Sequence, residues 1–407
     1  MTLSPRKYLG LSCALSLLLA ACNGSVDNSG GGGSGGDQGT GGSGLGGMTT
    51  GGGGMRATGG TGSGGTGIGG VRATGGSGPG LGGAGSGGAT GGGGTVGTDQ
   101  LMGWAASGCT VGGVSTTTGG GSGTPMVVTS LSALNSAAAG TAARVIQFSG
   151  NLSGSLTVGS NKTIIGMAGA TISGHVEVNG SANVILQNFT VVGRNCADVP
   201  ANGDCQDGAD AVTINNGAHH VWVDHLDVSD GSDGNLDVTN ASDCVTVSWT
   251  KFHYSTSRVA GYTGEVHHFS NLVGGDDAAT GDTGHLRITW HHDWWADHVV
   301  ERQPRVRFGQ NHLFNDLWTS TGNNYCVAAA VSSNVLLENS AFVNVRDALD
   351  TTGYSNAATV ALARGNLYSG TPTPANKGTG VFTPPYTYPL EPASVIQAEV
   401  MAGAGPH

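Results

Sequence analysis

Two clusters of side chains in this sequence could do chemistry. One is acidic and includes Asp204, Asp207, Asp210, Asp224, Asp227, Asp230, Asp233, Asp237 and Asp243. Carboxylate oxygens are what Ca2+ takes, about six to eight donors with water completing the set. The spacing is not that of an EF-hand loop, so a fold would have to gather them. In a coil of stacked turns Asp210 meets Asp233, 23 residues on, and Asp237 follows on the same turn. Asp also favours turns, and Asp227, Asp230 and Asp243 are expected to be solvated turn residues. The other cluster is Glu301-Arg302-Gln303-Pro304-Arg305-Val306-Arg307. On a strand Arg305 and Arg307 share a face, and Pro304 disrupts regular pairing just before them. Guanidinium groups grip carboxylates through paired hydrogen bonds. The alternative is that these arginines pair with the chain's own acids, and spacing alone does not choose.

The elements that would position these clusters are short runs of Val, Ile and Thr separated by Gly, Asn, Asp and Ser. Such runs read as many short strands. Val184–Phe189, Val221–Leu226, Val245–Thr250, Ile288–Asp293, Gln310–Asp316 and Val335–Ser340 are self-similar. Taking Asn188, His225, Trp249, His292, Asn315, Asn339 and Asn366 as equivalent gives spacings of 37, 24, 43, 23, 24 and 27. A unit near 24 residues, with inserted loops where the gap is longer, predicts an all-β, right-handed parallel β-helix in which equivalent side chains stack. A β-sandwich would show turn signals more often and no such echo. Leu131–Ala139 has helical composition, with Thr129 or Ser130 as N-cap, and is expected to close the N-terminal end.

Composition sets the boundaries. Residues 1–22 read as a signal peptide: Arg6 and Lys7 precede an apolar run ending Leu19-Ala20-Ala21-Cys22, which resembles a bacterial lipobox with Cys22 as the lipidated residue. In signals of that kind Asn23 after the cysteine implies the outer membrane and the cell surface; the alternative is a secreted protein. Half of residues 23–100 are glycine, and Ser and Thr make up 17 of the other 39. Such a stretch cannot bury enough apolar surface to fold and is expected to be a disordered tether reaching roughly 50 Å. Residues 101–407 then form the globular domain, expected to be a monomer. A formal charge of −11 excludes a nucleic-acid binder. Cys196 and Cys205 flank a short loop and are expected to form a disulfide. Cys109, Cys244 and Cys326 leave an odd number, so at least one is free or buried.

With these motifs in place, the domain resembles the pectate lyase family of polysaccharide lyases. SNKTIIG (160–166), DAVTI (210–214), VWVDH (221–225), VTVSWTKF (245–252) and RQPRVRFG (302–309) carry the resemblance. It implies calcium-dependent β-elimination of de-esterified polygalacturonate. It also implies Asp210, Asp233 and Asp237 as calcium ligands, Arg302 as catalytic base and Arg307, with Arg305, as substrate-carboxylate partners. Asp224 and His225 would be structural. A guanidinium is a poor base, and its use implies an alkaline optimum. The sequence departs from the family at one point: a substrate-contacting lysine would fall near Phe269, beside His267 and His268, leaving Arg258 or a histidine as the replacement. Alternatives are a pectin-binding β-helix with impaired catalysis and a pectin lyase acting on methylated substrate. The retained acids favour pectate.

Overall fold

The computed structural model describes residues 101–193, 210–255 and 267–407. The chain forms a parallel β-helix. A ten-stranded parallel sheet makes the first wall, from Met126–Val128 through Arg144–Phe148, Lys162–Gly166, Ala182–Gln187, His219–Asp224, Asp243–Ser248, Ile288–His291, Gln310–Phe314 and Asn334–Glu338 to Val360–Arg364. A fifteen-stranded sheet supplies the other two walls because it folds at Thr171–Asn179. The first part of that strand pairs with Thr190–Val192, its last part with Val212–Asn215. Gly174 lies between the two halves, where a Cβ would come within 2.2 Å of the Gly154 carbonyl oxygen. Only glycine fits that bend.

The repeat follows the anticipated register. Val221 pairs with Val245, Val245 with Ile288, Ile288 with Asn311 and Asn311 with Val335. Asn188, His225, Trp249, His292, Asn315 and Asn339 all follow first-wall strands with positive φ and stack. Asn366 does not belong with them. Glu338 pairs with Arg364, so Gly365 takes the left-handed position and Asn366 falls one residue later. There it ends a second ladder, in which each side chain accepts from the backbone N–H of the preceding turn: Asp293 from Thr250, Asp316 from Asp293, Ser340 from Asp316 and Asn366 from Ser340.

Inward-facing apolar residues fill the coil as one continuous core. Part of it is an aromatic column in which Phe252, Trp295, Trp318, Phe342 and Tyr368 are strand partners in turn. Ring centroids are 5.6, 4.7, 4.3 and 5.4 Å apart along it. Each such pair contributes ~0.5–1.5 kcal/mol beyond area burial.

Helix α1 (Leu131–Ala138) covers the N-terminal end with Leu134, Ala137 and Ala138 buried, and Ser130 caps it by accepting from the Ala133 N–H. Helix α2 (Ala393–Gly403) lies against the side of the coil, with Ile396 and Val400 packed on Leu317 and Ala341. Two straps lie along the first wall. Residues 104–120 run over the row Thr163, Ile185, Trp222, Thr246 and Thr289: the N–H groups of Trp104, Ala105 and Gly120 donate to Thr289, Thr246 and Thr163. Cys109 fixes this strap to the wall through a disulfide to Cys244. Residues 382–391 continue in the other direction, with Tyr386 hydroxyl at 2.7 Å from Thr289 Oγ1 and Tyr388 donating to Glu338. Cys326 is the free, buried cysteine among those described, while Cys22, Cys196 and Cys205 lie outside the described residues.

Candidate active site

The second wall carries both clusters. Its strands Val212–Asn215, Leu236–Val238, Leu272–Val273, Arg305–Val306, Val327–Ala329 and Leu349–Asp350 stack in that order. In-register partners point the same way, so Thr213, Asp237, Leu272, Arg305, Ala328 and Asp350 form one row. Turns are about 4.8 Å apart, which puts the rung of Asp237 roughly 10 Å from that of Arg305. The acids and the arginines thus share a wall, two turns of the coil apart.

Asp237 is buried, Asp210 is partly buried, and the two are aimed at one point. A Cβ added to Gly234 would lie 2.9 Å from the Oδ1 atoms of both. Asp237 Oδ1 accepts from the Leu272 N–H at 2.8 Å, and Asp210 Oδ2 from Thr213 Oγ1 at 3.2 Å. Asp210 Oδ1 is buried with no hydrogen-bond partner. Burial, followed by the neighbouring Asp233 charge, pushes Asp210 up to about 7. Burial, then Asp210 and Asp233, drives Asp237 well above the usual carboxylate range, and Arg302 opposes both shifts. Crowded carboxylates with an orphaned oxygen over a glycine form a hard-oxygen cradle, and this donor set fits Ca2+. Asp233 stands at its rim, with Oδ1 3.6 Å from His267 Nδ1. The three acids are not among the triads whose donor atoms all lie within 4.8 Å of one another.

Arg302 has left-handed backbone, φ 56°. Its guanidinium sits 4.6 Å over the Phe269 ring, and it makes no ion pair with a described residue. Arg305 packs 3.8 Å over Tyr354 with its Nε buried and unbonded. Burial first, then the Arg307 charge, lowers its pKa. Arg307 is buried and engaged: Nε donates to Asp277 at 2.5 Å and Nη1 to the Gly274 carbonyl at 2.7 Å. For Arg307 the internal pairing anticipated as the alternative is present. Asp277, Tyr354 and the buried, unbonded Tyr325 hydroxyl were not singled out from the sequence. Asp277 comes from an inserted loop, and Tyr325 and Tyr354 from ordinary turns with no motif of their own.

Where the lysine would stand, Phe269 lies under Arg302, and Leu272 fills the row between Asp237 and Arg305. His268 stacks on Tyr254 with its Nδ1 3.0 Å from the His298 carbonyl, and Arg258 lies outside the described residues. Asp224 and His225 are structural as expected: Asp224 is buried and accepts from Ser248 and Gln187, with His225 Nδ1 at 2.9 Å. The expectation of solvated acids fails at Asp243, which is buried and paired with Arg287. Asp227 and Asp230 are likewise engaged, by His253 and by Ser255.

Residues 94–394 match the family model described as "Pectate lyase". The chain belongs to the pectate lyase family. It is 36% identical over 274 residues to "Probable pectate lyase B" of Aspergillus flavus, covering 62% of this chain and 76% of that protein. "Pectate lyase E" of Dickeya chrysanthemi is 34% identical over 217 residues, 46% of this chain and 50% of that protein. A solved structure described as "Pectate lyase bound to hexasaccharide" shares the fold with a TM-score of 0.59 and 21% identity, covering 74% of this chain and 96% of that one. As a pectate lyase, the protein is a polysaccharide lyase, and the acid–arginine wall is its candidate active site.

Proposed function

We propose that this pectate lyase cleaves de-esterified polygalacturonate by calcium-dependent β-elimination, releasing unsaturated oligogalacturonides. The observation that carries the reading is the convergence of Asp210 and Asp237 over Gly234, one wall shared with Arg302. Asp210 and Asp237, with Asp233 at the rim, would hold the ion. Bound there, Ca2+ supplies positive charge beside the uronate carboxylate, where negative charge accumulates as the C5 proton leaves.

The remaining work falls to the chain's own residues. Arg302, held over Phe269 and free of a described carboxylate partner, takes the proton from C5. The C5–H electrons form the C4–C5 double bond, the C4–O4 bond breaks, and O4 leaves with a proton from solvent. A guanidine base favours alkaline pH. Arg305 and Arg307 orient substrate carboxylates, and Asp277 is the internal acid with which a substrate competes at Arg307.

The engaged Arg307 and the apolar Phe269 and Leu272 favour a second reading, a β-helix that binds pectate without cleaving it. Polygalacturonate with and without Ca2+ separates the two. Ultraviolet absorbance of the unsaturated product that disappears with chelator supports elimination. Calcium-dependent retention on pectate without absorbance leaves binding alone, and reducing ends without absorbance would mean hydrolysis.

The same reading places the protein outside the cytoplasm, exported by residues 1–22, lipidated at Cys22 and tethered by residues 23–100. The Cys109–Cys244 disulfide supports an oxidising compartment. Among the described residues no helix is long and apolar enough to cross a membrane.

A further inference from the structure

A second group of ionisable residues lies away from the acid–arginine wall, where the C-terminal strap and α2 meet the coil. His292, Glu391 and Glu399 each offer a donor atom, and these atoms all lie within 4.8 Å of one another. His292 occupies the left-handed position after strand Ile288–His291 and stacks 4.2 Å from Trp249. Its side chain is 4% exposed, and its Nε2 faces Glu391 Oε2 at 3.4 Å and Asn315 Nδ2 at 3.5 Å. Both contacts are longer than ordinary hydrogen bonds, so a buried nitrogen is held only loosely, facing the Glu391 carboxylate. Its Nδ1 sits 3.0 Å from His291 Nδ1, the kind of outer partner that orients a ligating imidazole.

The two carboxylates are placed as firmly. Asn315 and Asn339 hold the Glu391 backbone, the first accepting from its N–H and the second donating to its carbonyl. Glu399 rides on α2, which Ile396 and Val400 anchor, and its carboxylate lies within 4.8 Å of the Glu391 and His292 donor atoms. An open cavity of about 370 Å³ lined by Met102, Trp249, His292 and Glu391 adjoins the group and has room for water ligands. Among the described residues the other such triad, Cys109, Asp243 and Cys244, has its sulfurs joined and its acid paired with Arg287, so it is not comparable.

We propose that His292, Glu391 and Glu399 bind a divalent ion of the Zn2+ type. One imidazole and two carboxylates suit Zn2+ and its Co2+ analogue, whereas Ca2+ takes oxygen donors. Bonds of ~2.0–2.2 Å put neighbouring ligands about 3.4 Å apart, within reach of small rotations of two glutamates. The three ligands come from a coil turn, the strap and α2. The bound ion therefore staples the C-terminal segment to the coil.

The test uses the full chain, stripped with chelator and dialysed. Zn2+ at about a hundredfold excess over its Kd is expected to raise Tm by about 4 °C. One equivalent of Co2+ is expected to give a visible ligand-field band. Glu391→Gln and Glu399→Gln keep the metal-free Tm and calcium-supported lyase rate but lose at least about tenfold in Zn2+ affinity, a change of ~1.4 kcal/mol. Asp237→Asn leaves the Zn2+ response intact. The proposal is overturned if wild type shows neither response, if the double Glu→Gln variant keeps both, or if Asp237→Asn abolishes them and so places the metal at the acidic wall. Because the readouts are Tm and the Co2+ band, failure here leaves the calcium reading untouched.

Discussion

Substituting Gly234 with alanine tests the cation cradle without removing a charged group. Its backbone is not among the glycines with positive φ, so an L-residue is tolerated there. The new Cβ would lie 2.9 Å from the Oδ1 atoms of Asp210 and Asp237, and 3.4 Å from the Ser270 carbonyl oxygen. Relief requires each carboxylate to retreat by roughly 0.5 Å from ordinary contact. A carboxylate and a divalent ion attract by about 14 kcal/mol at ~2.4 Å and about 11 kcal/mol at ~2.9 Å, with an effective dielectric of ~20. Re-aimed side chains and water recover about half of the ~2–3 kcal/mol lost per ligand. About 2–3 kcal/mol for the pair remains, on the order of 10²-fold in Ca2+ affinity. The assay is the Ca2+ concentration for half-maximal lyase rate, with Tm measured in chelator. We expect the half-saturation to rise on that scale while Tm changes by no more than about 1 kcal/mol equivalent. An unchanged half-saturation in a folded Gly234→Ala protein would refute the cradle.

Arg302→Ala should abolish the unsaturated product while leaving Tm nearly unchanged, because the side chain is half-buried over Phe269 and makes no described ion pair; near-normal product formation removes it from the base role. The buried ladder acids Asp293 and Asp316 have pKa values raised by burial, Asp293 also by the Asp316 charge. Their stabilising contribution is therefore full below the unfolded carboxylate value near ~3.9 and is lost as pH rises toward the folded pKa. Asp293→Asn/Asp316→Asn should flatten the slope of Tm against pH above ~4, and a slope unchanged in calorimetry would contradict neutral acids in the ladder. Trp318→Ala, between Trp295 and Phe342, should cost ~3–5 kcal/mol in denaturant unfolding, and a loss under ~1 kcal/mol would mean the column does not carry packing energy.

Much of the architecture was legible because a coil repeats its constraints. Spacings of 23 and 24 between His292, Asn315 and Asn339 are one turn, an echo that a β-sandwich does not show. The misplacement of Asn366 has the same origin. The last turn has a glycine at the ladder position, so the nearest asparagine in sequence stood in for it. Asp210, Asp233 and Asp237 could be brought together by counting one turn, whereas the arginines joined them only through the family resemblance. Asp277 could not be placed, since it lies in an insertion outside the repeat, and its engagement of Arg307 is a tertiary fact. Asp243 read as a turn acid because its partner Arg287 is 44 residues away across the longest inserted gap. Pairing of Cys109 with Cys244 depends on the strap folding back along the wall, which no local pattern announces.

Those straps also change how the molecule comes apart. A solenoid whose turns touch only their neighbours can fray from either end, one layer at a time. Here one segment spans the turns from Thr163 to Thr289, locked at Cys244, and another carries the linkage on from Thr289 to Glu338. Opening a middle layer means breaking bonds that also hold distant layers. A linear array is thereby converted into a single cooperative unit whose ends and centre share one fate.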